Sequence, residues 1–406
     1  MLYQLHELQR AWLTPMAAFA DLGAQLFGEG PLSLLPGAER IAAGYELFHR
    51  LGKEYEKPSF GLEHTTVDGS LVAVRERVVG RDPFCRLVRF EREIPVDRPA
   101  DPKVLIVAPL SGHHATLLRD TVRAMLPAHD VYVTDWVDAR MVPLRDGGFR
   151  LDDYVRYVQR YLRALGPDVH VVAVCQPTVP VLAAVSLMAT AGDSMLPRTM
   201  TLMGGPIDAR KSPTKVNDLA FEKPYEWFES TVICTVPDRY PGSGRRVYPG
   251  FLQLGGFVAM NPEKHARSHW DFYLDLVRGD DEDAAAHRRF YDEYNAVLDM
   301  PAEYYLDTIK TVFQDCALAK GTWEVDGVRV SPGDIRTVAL LTVEGELDDI
   351  SGSGQTEAAQ SLCSGLPSSM KEHFVAPGCG HYGIFSGRRW REEIQPKVAA
   401  FISAHA

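Results

Sequence analysis

The sequence predicts an α/β fold: a mostly parallel sheet flanked by helices, with a mainly helical insertion in its second half. Three observations carry this reading. From Val104 onward, short β-branched runs alternate with helical patterns, the rhythm of a parallel sheet. That rhythm stops at Pro206 and resumes only after Gly333. The run Val169-His170-Val171-Val172-Ala173-Val174 ends in Cys175 and gives way at once to a helical pattern, which is how a strand-to-helix turn lifts a nucleophile above a sheet.

Taken in order, residues 2–27 carry leucines, alanines and aromatics at helical spacing, with Pro15 expected to break or restart the helix. Its apolar face is expected to pack on the core rather than lie on an outside apolar surface. Residues 60–94 alternate apolar and polar positions around Asp68-Gly69, a hairpin signature, and form an antiparallel edge ahead of the parallel core. Strands at 104–108 and 131–134 follow, with helices from about Ala115 and over 151–165. The Cys175 strand, a helix over 179–191 and a strand over 198–203 continue the pattern. Residues 206–333 are helical, proline-rich and aromatic, including Pro224-Tyr225-Glu226-Trp227-Phe228 and Trp270-Asp271-Phe272-Tyr273-Leu274. They read as a cap whose aromatics mostly form its own core, with a minority lining a substrate entrance. The expected division is 1–206 for the N-terminal helix and first part of the core, 207–333 for the cap or lid, and 334–406 for the rest of the core.

An activated thiol needs a base, and the base needs an orienting group. The run 338–343 opens into Glu344-Gly345-Glu346-Leu347-Asp348-Asp349-Ile350, so that Asp348 or Asp349 can orient a base from the loop after a buried strand. The run 373–376 enters Pro377-Gly378-Cys379-Gly380-His381-Tyr382-Gly383, a glycine-flanked histidine ahead of a final helix. Nucleophile, acid, histidine is the chain order of the α/β-hydrolases. The expected site is therefore Cys175 as nucleophile, His381 as base and Asp348 or Asp349 as its orienting acid. A tetrahedral intermediate would be held by the backbone N–H of Gln176 and by that of Leu110 or Ser111 in the loop Pro109-Leu110-Ser111-Gly112.

With these motifs in place, the chain resembles the intracellular poly(3-hydroxybutyrate) depolymerases, relatives of the polyhydroxyalkanoate synthases, over nearly its whole length. The likeness rests on Val174-Cys175-Gln176-Pro177-Thr178-Val179-Pro180, Glu344-Gly345-Glu346-Leu347-Asp348-Asp349-Ile350-Ser351 and Gly378-Cys379-Gly380-His381-Tyr382-Gly383. Tyr132-Val133-Thr134-Asp135-Trp136 gives weaker support. The resemblance implies that Cys175 is the nucleophile, His381 the general base and Asp348 the acid. It implies an α/β-hydrolase fold with a cap, no cofactor or metal, and a cytoplasmic protein acting at storage granules of amorphous polyester or on 3-hydroxybutyrate oligomers. Pro177 stands where the G-x-S-x-G turn has a small residue, and a proline is tolerated in the first turn of a helix.

The implied reaction is ester hydrolysis through an acyl thioester on Cys175. The rival reading keeps that intermediate and passes the acyl group to coenzyme A or to a growing polymer, as a synthase does. The elbow Ala173-Val174-Cys175-Gln176-Pro177 differs from the G-x-C-x-G turn of the synthases. A third reading, a non-enzymatic granule coat using the N-terminal helix, leaves the ordered motifs as an accident.

Composition narrows the remaining classes. A net charge of −11 and the lack of any basic patch exclude broad nucleic-acid binding. Six cysteines scattered over 406 residues fit neither a disulfide scaffold nor a C-x-x-C zinc site, and read as reduced thiols. No leader segment and no membrane-spanning run is expected.

Other matches lead elsewhere. Residues 378–383 satisfy G-x-G-x-x-G but lie too near the C-terminus for a dinucleotide-binding βαβ unit. Gly192-Asp193-Ser194 follows a helix and reads as a loop with a capping serine. Adjacent His113 and His114 lack the spacing to converge on one metal. Residues 278–283 read as a solvated acidic turn.

Overall fold

The computed structural model describes residues 2–95 and 98–406. Nine strands form its main sheet: β1 (His64–Val67), β2 (Ser70–Asp82), β3 (Cys85–Arg92), β4 (Lys103–Val107), β5 (Asp130–Trp136), β6 (Val169–Val174), β7 (Thr199–Met203), β8 (Ala339–Gly345) and β9 (Lys371–Ala376). Their order is β1-β2-β3-β5-β4-β6-β7-β8-β9. Pairing is antiparallel from β1 through the β3–β5 contact and parallel from β5 to β9. The central strands are buried along their length because helices cover both faces, which is why they read as unbroken apolar runs. At the antiparallel edge, Asp68 and Gly69 both take positive φ, 50° and 80°, and Val67 pairs with Ser70 across this two-residue turn.

The strand order reverses where β4 lies between β5 and β6, and ligands of such sheets bind beyond the carboxyl ends of the strands at this point. Ala108, just past β4, is pinned there: its N–H donates to Thr134 Oγ1 at 2.9 Å, and its carbonyl accepts from Trp136 Nε1 at 2.7 Å and the Tyr154 hydroxyl at 3.0 Å. This is the physical role of the Tyr132-to-Trp136 segment. With Cys175 at the end of β6 and His381 after β9, the architecture is that of an α/β-hydrolase.

Helices α1 (Leu2–Gly28) and α2 (Ala38–Gly52) form an N-terminal hairpin, and α3 (Arg119–Met125), α4 (Leu151–Leu165) and α5 (Thr178–Thr190) belong to the core. Between β7 and β8 come α6 (Lys215–Glu222), α7 (Tyr225–Thr231), α8 (Gly250–Met260), α9 (Pro262–Arg278), α10 (Asp281–Tyr294) and α11 (Ala302–Thr308). A three-stranded antiparallel ribbon ties this insertion together. It meets the strand ends through Leu298 N–H, which donates to Gly112 O at 2.8 Å, and through Tyr304, which stacks on Tyr154 of α4. Phe228 and Phe272 are buried inside it, whereas Trp270 is exposed.

Three expectations need correction. Helix α1 runs through Pro15 without a break. Its inner face is built of small residues, Ala17, Ala20 and Gly23, that let α2 approach closely; a Cβ on Gly23 would meet the Tyr45 ring at 2.8 Å. That packing outweighs the hydrogen bond the proline removes. The large apolar residues of α1 are therefore not on the core: Leu5, Leu8, Trp12, Met16, Phe19 and Leu22 form an exposed stripe. Helix α2 itself was not anticipated, although Ile41, Tyr45 and Phe48 stand at helical spacing after Pro36-Gly37. After α5, the side chain that caps the turn belongs to Asp193, which accepts from Met195 N–H at 2.9 Å, and not to Ser194. Residues 278–283 do form a helix-to-helix turn, with Asp280 accepting from Asp283 N–H.

Candidate active site

Cys175 follows β6 in the left-handed region, at φ 68°, where few residues other than glycine settle. The turn is held from three sides. Cys175 N–H donates to Met203 O at 2.7 Å, Thr178 N–H donates to Cys175 O at 3.1 Å, and Val181 N–H donates to Pro177 O at 2.9 Å as α5 begins. Gly205 lies against it so closely that a Cβ there would fall 1.8 Å from Thr178 Oγ1 and 2.4 Å from the Cys175 carbonyl oxygen. Gly205 is fixed in turn by Thr356, whose hydroxyl accepts from Gly205 N–H at 2.8 Å and donates to Gly205 O at 3.0 Å.

The acid loop after β8 is similarly determined. Glu344, buried at the end of the strand, accepts from the N–H groups of Gly354, Thr356 and Glu357 at 2.7–2.9 Å. Sequence reasoning missed Gly205, Thr356 and Glu344. A glycine pair at a strand end and a carboxylate inside an apolar run were the available signals.

Asp348, and not Asp349, reaches the histidine. His381 Nδ1 donates to Asp348 Oδ2 at 2.8 Å, while Asp348 Oδ1 accepts from Ile350 N–H at 2.9 Å and Ser351 N–H at 2.8 Å. Asp349 is exposed. Cys175 and His381 face the same cavity, and the Cys175 sulfur acts electrostatically on the imidazole. Burial disfavours the imidazolium, but the Cys175 sulfur and the Asp348 carboxylate outweigh it and raise the His381 pKa to about 10. The arrangement thus favours a charged imidazolium beside the sulfur.

Leu110, Ser111 and Gln176 line the same cavity as Cys175 and His381, and none of their backbone N–H groups makes a hydrogen bond among the described residues. Gly112, at φ 112°, turns the loop here. The cavity measures about 340 Å³ and its far wall comes from the insertion, with Tyr248, Phe257, Tyr304, Tyr305 and Phe313. It is mostly apolar, suited to an aliphatic chain, with a thiol, an imidazole and unpaired N–H donors at one end. That set can perform acyl transfer.

His113 and His114 are buried, which lowers their pKa values to about 4 and about 3 and keeps them neutral. His113 Nε2 pairs with Tyr294 O at 3.1 Å and its ring stacks on Phe257, so it joins the core loop to the insertion. Among the described residues no group of three or more His, Cys, Asp or Glu could hold a metal. Cys379 is buried, and the six cysteines are all free.

A family model for the C-terminus of PHB depolymerases matches residues 204–406, half of the chain. The chain belongs to the PHB depolymerase family. Its class of chemistry is accordingly ester hydrolysis. The matched half carries Gly205, Asp348, His381 and the insertion, and Cys175 precedes it. Among solved structures, the chain is similar to a putative lipase from Acinetobacter baumannii at 10% identity, over 82% of this chain and 93% of that one, with a TM-score of 0.46. It is also similar to a monoacylglycerol lipase from Paleococcus ferrophilus (14% identity, 76% and 97% covered, TM-score 0.43). A meta-cleavage product hydrolase from Pseudomonas fluorescens shows 15% identity, 84% and 98% covered, and a TM-score of 0.42. No curated protein matches.

Among the described residues, no helix of this PHB depolymerase family member is long and apolar enough to cross a membrane.

Proposed function

We propose that this protein hydrolyses the ester bonds of amorphous poly(3-hydroxybutyrate) and its oligomers, using Cys175 as nucleophile, His381 as acid–base and Asp348 as the group that orients the histidine. The observation that carries the reading is the buried Asp348–His381 hydrogen bond facing Cys175 on a left-handed turn, at the floor of an apolar cavity.

The thiolate of Cys175 attacks an ester carbonyl, forming the Sγ–C bond, and the negative oxygen is met by the N–H of Gln176 and that of Leu110 or Ser111. Collapse of the tetrahedral species breaks the C–O bond, and the departing alkoxide takes the proton held on His381. A 3-hydroxyacyl thioester remains. Water, deprotonated by the now neutral His381, attacks it and releases the acid, returning the proton to the imidazole and the charge to sulfur. Under this reading the protein works in the cytoplasm at granule surfaces, and residues 207–333 form the lid of the site.

The test is release of 3-hydroxybutyrate units from amorphous granules by wild type and Cys175→Ala, with coenzyme A present. The expected result is free acid, reduced by roughly a thousandfold or more in the variant, as for loss of other catalytic nucleophiles. Undiminished release by Cys175→Ala would sink the mechanism, and coenzyme A thioesters as the product would replace hydrolysis with transfer.

A further inference from the structure

Five polar atoms in the residues lining the cavity are sealed from solvent and have no hydrogen-bond partner: Gln176 Nε2 and Oε1, the Tyr304 hydroxyl, Gln253 Oε1 and Ser351 Oγ. All four side chains belong to buried residues; Gln176 is 8% exposed and Tyr304 1%. Buried polar groups are ordinarily paired, and groups that are not call for an explanation such as a ligand.

Gln176 and Tyr304 stand out because they adjoin each other and Gln176 directly follows Cys175. The Tyr304 hydroxyl lies near the Gln176 amide, without a hydrogen bond of good geometry to it, and lines the same cavity as Cys175. Its ring is clamped by Tyr154, stacked at 5.7 Å, and by Phe149 at 5.8 Å, so the hydroxyl is not free to seek a partner elsewhere. The amide presents an unmet donor together with an unmet acceptor, and the phenol can serve as either. A group that satisfies this pair must itself donate and accept.

An aliphatic polyester offers few such groups. Every ester along the chain is an acceptor only, and so is the carboxylate at one end. The hydroxyl at the other end both donates and accepts. It also sits in the right place: in the terminal unit of a 3-hydroxyacid chain the hydroxyl is two carbons from the carbonyl that the thiolate attacks. Its partner must therefore stand next to the nucleophile, and Gln176 is the next residue.

We infer that Gln176 and Tyr304 form a subsite for the free hydroxyl end of the polyester, so that units are removed from that end. This rests on the depolymerase reading above. The terminal 3-hydroxyacyl unit becomes the thioester on Cys175, the rest of the chain leaves as an alcohol, and that alcohol is the new hydroxyl end. Each cycle regenerates its own substrate, one unit shorter.

The experiment compares two 3-hydroxybutyrate oligomers of equal length, one with a free hydroxyl end and one whose hydroxyl is converted to its methyl ether. The ether accepts but cannot donate, and it adds no new ester. Wild type is expected to favour the free end in kcat/KM by about tenfold or more, since sites built to bond a hydroxyl reject analogues lacking it. The first product from the free end is expected to be monomer. In Tyr304→Phe the preference between the two oligomers is expected to shrink to about twofold or less. Equal wild-type rates on the two oligomers would overturn the subsite while leaving the depolymerase reading intact. A preference unchanged in Tyr304→Phe would remove Tyr304 from it, overturning the paired subsite. Hydrolysis of neither oligomer would overturn the depolymerase reading itself.

Discussion

The backbone supports around Cys175 and Asp348 and the side chains that face the cavity are built on opposite plans. In the loops, both oxygens of Asp348 are committed to hydrogen bonds, Glu344 accepts three backbone N–H groups, and the Cys175 turn is bonded on each side. Facing the cavity, the side chains of Gln176, Ser351, Tyr304 and Gln253 keep polar atoms unmet, and Tyr248 and Tyr305 are only partly buried against the core. Chemistry needs atoms held to within a fraction of an ångström, so its supports are redundant. Recognition needs unmet bonding capacity, so its surface leaves some bonds open until substrate arrives.

The largest effect that sharpens this contrast comes from the acid loop. Asp348→Asn is expected to lower kcat/KM by about 10³- to 10⁴-fold, because an amide no longer fixes the imidazole tautomer. Asp349→Asn is expected to stay within about twofold. Steady-state kinetics on a soluble 3-hydroxybutyrate oligomer would show it, and equal losses in the two variants would break the distinction.

Next comes the turn. Gly205→Ala puts a methyl group into Thr178 and the Cys175 carbonyl, and is expected to cost about 1–3 kcal/mol of stability, as overpacking does, together with a fall in kcat. Thermal unfolding alongside activity would measure both, and an unaltered kcat would mean the turn is less constrained than its contacts indicate.

The pH dependence of stability separates the two regions by sign. His381 has a folded pKa of about 10, above its ordinary value, so its contribution is complete below about pH 6.5 and lost as pH rises toward 10. His113 and His114 are lowered, to about 4 and about 3, so theirs is complete above about pH 6.5 and lost as pH falls through those values. Melting temperatures across pH 4 to 10 are expected to show both limbs, with the alkaline one flattened in His381→Gln. An alkaline limb undiminished in that variant would assign it to another group.

The smallest effect belongs to the outer face of α1. Leu8→Ser is expected to change stability by no more than about 0.5 kcal/mol, since Leu8 is exposed. A larger loss in chemical denaturation would mean that the stripe is covered in solution.

Much of this was legible in the chain itself. The parallel strands announced themselves as β-branched runs because they are buried on both faces, and Asp68-Gly69 marked its hairpin because that turn demands positive φ. Cys175, Asp348 and His381 were legible as residues because each sits just past such a run; which of two aspartates meets the histidine was not, since one residue of loop path decides it. Pro15 misled because its cost is local and the packing of α1 on α2 is not. Gly205, Thr356 and Tyr304 were hidden for the same reason: each matters through a neighbour far away in sequence, Thr178, Gly205 and Gln176 respectively.

The left-handed conformation of Cys175 also bears on how such enzymes change over generations. The strain lies in the Cys175 backbone, with Gly205 leaving room for it, and not in the sulfur. Serine differs from cysteine at that position by one atom and asks for the same turn, whereas valine or isoleucine would fight it. Exchanging thiol for hydroxyl at position 175 is thus a single-codon matter that leaves the turn's demands unchanged.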